Sequence, residues 1–107
     1  MVQRDDEGIR QLQALENNLQ QLLSQKQQFQ GQLFEIVSAI EELETTTESY
    51  KILGGILLKK DPAELKKELD EKKELFEIRI QSIEKQERST KEQAKELQQQ
   101  VLKTMEK

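Results

Sequence analysis

Carboxylates and cationic groups are the reactive side chains this chain has in quantity: 21 Asp and Glu against 17 Lys and Arg, with no Cys and no His in 107 residues. Paired carboxylates could act as general acid and base. Here they alternate with cations at helical spacing, as in Glu68–Lys72, Glu84–Arg88 and Glu87–Lys91, the i, i+4 pattern of salt bridges on a solvated helix face. The lack of Cys and His removes disulfides, zinc sites, thiol nucleophiles and imidazole bases together. Gly54-Gly55 is not part of a phosphate-binding loop ending in Lys and Ser or Thr, and alone it signals a turn. The sequence predicts no enzyme, no metal and no cofactor. What is left to act is apolar surface.

The elements that must present that surface follow from composition and period. Charged residues make up 36% of the chain, hydrophobic ones 34% and aromatics 4%, with one Pro and no Trp. That is the make-up of long helices and coiled coils rather than of a layered core. Leu, Ile, Val and Phe still number 29, more than a disordered chain carries. The net charge of −4 comes from interleaved signs. No basic stripe offers nucleic acid a counterion-releasing surface. Met1-Val-Gln-Arg-Asp-Asp-Glu7 has no apolar signal-peptide core, and no run approaches the ~18 apolar residues of a membrane span. The expectation is a cytoplasmic chain of one domain over residues 1–107, bound to neither membrane nor nucleic acid.

Positions 12, 15, 19, 22, 26, 29, 33, 36, 40 and 43 alternate gaps of three and four and are apolar except at Lys26. This 3.5-residue repeat keeps one seam against a partner helix. It predicts a helix over about 7–43, with a Gln-rich outer face. Lys26 could fix register at some cost in stability, as a polar seam residue does, but reads better as a tolerated lysine snorkelling to solvent. Thr45-Thr-Thr47 is β-branched and disfavours helix, and Glu41, Glu42 and Glu44 oppose the macrodipole at a helix end, so the helix stops near Leu43. Asp61-Pro-Ala-Glu64 restarts one, with Asp as N-cap, Pro at the first helical position and Glu closing a capping box. The second helix runs over about 62–105.

Between them, in a connector and hairpin over about 44–60, Tyr50-Lys-Ile-Leu-Gly-Gly-Ile-Leu-Leu-Lys59 reads as two strands joined by a two-residue turn. The pairs would be Leu53 with Ile56, Ile52 with Leu57, Lys51 with Leu58 and Tyr50 with Lys59. One face shows Leu53, Ile56 and Leu58, the other Ile52, Leu57 and Tyr50, so neither is polar. The helices can fold back antiparallel about this bend: Leu43 meets Leu65, Leu33 meets Phe76, Phe29 meets Ile80, Leu22 meets Glu87, Leu15 meets Ala94 and Leu12 meets Leu97. Each pair of numbers sums to 108 or 109, with no insertion. The expected fold is mainly α, a long antiparallel two-helix coiled coil with a central β-hairpin.

A lone hairpin is marginal in water, and one with two apolar faces and two open edges is an aggregation hazard unless covered. Strands from several subunits closing into a barrel would remove the edges. The hairpin is therefore expected to join an intersubunit β-barrel.

The segment Tyr50-Lys-Ile-Leu-Gly-Gly-Ile-Leu-Leu-Lys-Lys-Asp61, framed by Glu-Leu-Glu before and Leu69-Asp-Glu-Lys-Lys-Glu-Leu-Phe-Glu-Ile80 after, resembles the β-type, single-hairpin subunit of prefoldin. Tyr-Lys-x-x-Gly is its most recognisable piece. The resemblance implies a hetero-hexamer of two α-type and four β-type subunits with coiled coils hanging from a double β-barrel. It implies an ATP-independent holdase that captures unfolded client proteins at the coiled-coil tips and passes them to a group II chaperonin. Gly55 departs from the family, which often has Pro or a polar residue there, and predicts a looser turn.

Two sets of residues follow. Tyr50, Ile52, Leu53, Gly54, Gly55, Ile56, Leu57 and Leu58 form the assembly hairpin. Near the helix ends, the residues alone favour an ordinary frayed terminus with scattered apolar groups, whereas the resemblance implies that Val2, Ile9, Leu12, Leu97, Val101, Leu102 and Met105 hold apolar client segments: Leu12, Leu97 and Val101 lie in the seam, while the others fall off it and stay exposed unless the tip splays or folds over. Off-seam Leu75 and Ile78 could brace the hairpin platform or a neighbouring subunit, or equally could serve ordinary packing of the broad helix base. The sequence leaves open a structural coiled-coil adaptor for one native partner, and a homo-oligomer without an α-type partner.

Overall fold

In the computed structural model the backbone is described for residues 2–106 and the side chains for residues 6–105. The elements are α1 (Val2–Leu43), β1 (Ser49–Leu53), β2 (Ile56–Lys60) and α2 (Pro62–Glu106). α1 starts before the heptad pattern does, because nothing between Val2 and Glu7 breaks a helix and Asp6 and Glu7 complement its N-terminal dipole. It ends at Leu43, where the Glu42 carbonyl accepts from the Thr45 N–H at 3.4 Å and from Thr46 Oγ1 at 2.6 Å. Those hydroxyl and amide donors take up a carbonyl that the next helical turn would have satisfied. α2 opens with the Leu65 N–H donating to the Asp61 carbonyl at 2.9 Å, which makes Asp61 the N-cap and Pro62 the first helical residue.

The chain forms two compact units, Met1–Gln27 with Gln81–Lys107, and Gln28–Ile80. In the unit Gln28–Ile80, Ile36 and Ile80 are buried. Phe29 and Phe76 meet edge to face with ring centroids 5.5 Å apart, and the Arg79 guanidinium lies 5.7 Å from the Phe29 centroid. Phe29 thus touches the residue one turn from its expected partner Ile80, as a knob does when it enters a hole lined by four residues.

In the other unit Leu22 and Ile83 are buried, and so are the polar Glu87 and Thr90. Here the structure corrects the expectation for Lys26. Its ammonium does not snorkel but lies 2.8 Å from Glu87 Oε1, with the two side chains only 20% and 10% exposed. Glu87 consequently serves α1 rather than its i+4 neighbour Lys91. Among the described residues, the i, i+4 ion pair that closes is Lys73–Glu77, at 4.0 Å.

Candidate functional site

Gly54 and Gly55 have φ of 57° and 80°. Both central residues of a type I′ turn need that left-handed conformation, which glycine adopts without a Cβ penalty. This turn matches the twist of paired strands, so the ladder closes directly behind it: Leu53↔Ile56, Ile52↔Leu57, Lys51↔Leu58, Tyr50↔Lys59 and Ser49↔Lys60, antiparallel. The looser turn expected from Gly55 is not found, because two adjacent glycines satisfy both positive-φ positions.

Cross-strand partners share a face. On one face, Ser49 is buried and its hydroxyl donates to the Lys60 carbonyl. Lys51 of β1 donates to Glu68 Oε2 at 3.1 Å, and Lys60 of β2 donates to Glu68 Oε1. A single α2 carboxylate therefore grips both strands. The Lys60 hydrogen bond, and then that of Lys51, hold the Glu68 carboxyl below the usual carboxylate range. The sequence paired Glu68 with Lys72; the structure gives it to lysines 17 and 8 residues away. Helical spacing cannot signal such a contact, since it depends on how the hairpin lies against α2.

Beyond that grip the hairpin is bare. Tyr50, Ile52, Leu53, Ile56, Leu57 and Leu58 are 46–73% exposed and lie on both faces. Among the described residues the sheet has two strands, and each outer edge lacks a neighbour there. On the face of Tyr50, Ile52 and Leu57, Glu48 accepts from the Tyr50 hydroxyl at 3.4 Å and sits 4.0 Å from Lys59. This leaves Ile52 and Leu57 as an apolar strip with a polar border.

Near the helix termini, Ile9, Leu102 and Met105 are exposed, while Leu12, Leu97 and Val101 are half-buried. The side chain of Val2 lies outside the described residues. Gly8, which the sequence reading passed over, is buried against α2: a Cβ at residue 8 would lie 2.6 Å from Val101 Cγ2. Its signal was present, since 8 stands four before Leu12 and sums with 101 to 109. Phe34 was missed too and is 74% exposed; Leu75 and Ile78 are exposed as well. Beside the termini runs a groove lined by amide side chains, Gln11, Gln21 and Gln93 among them, together with Leu15, Leu97 and Glu96.

No set of three or more His, Cys, Asp or Glu is placed to hold a metal among the described residues, and no helix there is long and apolar enough to cross a membrane. A family model described as "Prefoldin subunit" matches residues 6–107. The chain belongs to the prefoldin family. It is 38% identical over 96 residues to prefoldin subunit beta of Archaeoglobus fulgidus, covering 87% of this chain and 83% of that one. To prefoldin subunit beta of Methanospirillum hungatei it is 40% identical over 96 residues, covering 87% and 80%. The fold is similar to the crystal structure of the prefoldin beta subunit from Thermococcus strain KS-1, with a TM-score of 0.88 and 31% identity over 94% of this chain and 91% of that one. Prefoldins are a non-enzymatic chaperone family. The likeness is to β subunits, this chain itself having two long helices around one hairpin, and it implies assembly with other prefoldin subunits.

Proposed function

We propose that this chain is a β-type subunit of a cytoplasmic, ATP-independent holdase, and that residues 1–107 act in it as a single prefoldin-like domain. In this reading it joins further β-type copies and α-type subunits in a hexamer of two α and four β. It takes up unfolded polypeptides with the apolar residues at its helix ends, and hands them to a group II chaperonin. One observation carries the assembly part: six apolar side chains exposed on both faces of a two-stranded sheet with two unpaired edges. Neighbouring strands closing a barrel would cover the faces and pair the edges at once. Capture would rest on Ile9, Leu102 and Met105, each contact weak, with several subunits acting together.

Native mass spectrometry of the chain with and without an α-type subunit tests the assembly. The expected result is a change from low-order species to a defined hexamer. Leu53→Asp or Ile56→Asp should abolish it while helical circular dichroism is retained, because a charge would enter the barrel interior. An unchanged sedimentation profile for both variants defeats the barrel. Capture is tested by deleting residues 1–8 and 100–107 from the hexamer. If the truncated assembly suppresses aggregation of a denatured client as well as the intact one, the helix ends are not the capturing surface.

A further inference from the structure

Gly8 makes an approach between α1 and α2 that no other residue type could. A Cβ there would stand 2.6 Å from Val101 Cγ2, against the ~3.5–4.0 Å at which carbon atoms rest in contact. Val101 cannot easily turn its methyl away, because β-branched side chains keep one strongly preferred rotamer in a helix. Any larger residue at position 8 must therefore push the two helices apart by about 1 Å.

That contact determines where its neighbours point. Each helical residue is turned about 100° from the last. α1 and α2 are antiparallel here, so viewed along one axis their chains recede and approach respectively. With both helices right-handed, the residue following each contact residue turns to the same side of the pair. Ile9 follows Gly8 and Leu102 follows Val101, and Met105 stands one turn beyond Val101, inclined the same way. These three side chains are 40%, 54% and 63% exposed. Glu7 and Gln100, which precede the contact residues, turn to the opposite side and line the groove there with Gln11 and Thr104.

We infer that Gly8 is a positioning residue for client capture: its close packing on Val101 locks the helix ends together and so makes Ile9, Leu102 and Met105 one apolar ridge on one side of the pair. The occupant of the ridge is an apolar stretch of unfolded polypeptide, which rests on the function proposed above. The competing behaviour is capture by opening, in which the helices separate and offer seam residues Leu12, Leu15, Leu97 and Val101. The two behaviours respond oppositely to a residue that forces the lock apart.

The test uses the full chain in assembly with its α-type partner. Gly8→Ala is the first variant, since Ala is the better helix former and any loss cannot be ascribed to a frayed helix. Gly8→Ala with Val101→Ala is the second: it removes the clashing methyl and leaves the residue-101 Cβ 4.0 Å from the new one, an ordinary contact. Val101→Ala alone is the control for lost methyls. The chain has no cysteine, so spin labels at Asp6→Cys and Lys103→Cys report the separation of the helix ends without interference. Gly8→Ala should lengthen that separation and require several-fold more assembly to suppress aggregation of a chemically denatured client, and the double variant should restore both. An unchanged label distance overturns the lock. A longer distance with equal or better capture overturns the ridge in favour of opening. If the unaltered hexamer forms but captures no client, the holdase reading falls and the ridge with it, a result distinct from a variant-specific failure.

Discussion

Lys26 Nζ and Glu87 Oε1 are 2.8 Å apart within the helical seam, where nine of the ten α1 heptad positions from Leu12 to Leu43 are apolar and only Lys26 is not. The irregularity of α1 and the polar interruption of α2 are thus one feature. Such a pair costs desolvation on both sides and contributes little net stability, but removing one partner strands the other's charge. We predict that Lys26→Leu or Glu87→Leu alone lowers stability by about 2 kcal/mol, and that the double variant recovers most of it. Urea denaturation of the four proteins closes the cycle; additive losses would mean the pair is not coupled. A polar pair at one seam position also penalises shifted alignments of the helices.

Glu68 predicts a pH dependence for the hairpin. A carboxyl held below the usual range by Lys60 and Lys51 is ionised more readily in the folded chain than in the unfolded one. Its contribution is fully present at neutral pH and disappears as pH falls through the lowered value. The hairpin's hold on α2 should therefore survive mild acid and loosen only below the ordinary carboxylate range. Glu68→Gln should loosen it at all pH values. A carboxyl-carbon NMR titration of Glu68 checks the shift, and a midpoint at or above that of exposed Glu residues would contradict the double grip.

The turn makes a sharp demand on position 55. With φ at 80°, Gly55→Pro is incompatible, because the ring holds φ near −65°. That substitution should force a different turn type on the hairpin and lower hexamer yield. Gly54→Asn should be accepted, since Asn tolerates left-handed backbone and favours the first position of this turn, while Gly55→Val should cost about 1–2 kcal/mol. Hexamer yield across the three variants measures this ranking.

The aromatic contact in the unit Gln28–Ile80 gives a fourth expectation. Phe76→Ala removes the edge-to-face partner of Phe29. A buried Phe costs about 3–5 kcal/mol on truncation; Phe76 is only half-buried, so a loss near 2 kcal/mol is expected. Phe76→Leu should cost under half of that, because most of the apolar volume remains. Thermal unfolding distinguishes them, and equal losses would show that the ring geometry matters more than the burial.

Much of the fold could be read without coordinates because its interactions are local or periodic. The heptad in α1 needs only a 3.5-residue repeat, the ends at Leu43 and Pro62 need only β-branched and capping residues nearby, and the strand register follows from two central glycines. The apolar residues exposed on both hairpin faces were legible for the same reason: strand alternation leaves them no polar face to hide. Three features were decided only by the tertiary structure. Lys26 finds Glu87, Glu68 finds Lys51 and Lys60, and Gly8, whose register with Val101 the numbering already held, comes close enough to it to exclude a Cβ. Such contacts depend on the distance between two backbones and the reach of particular side chains, which a one-dimensional period does not contain. The sequence by itself determined which surfaces are apolar and which segments are helix or strand. The packing decided that the seam's odd lysine is paired, that one carboxylate anchors both strands, and that a glycine closes the helix ends.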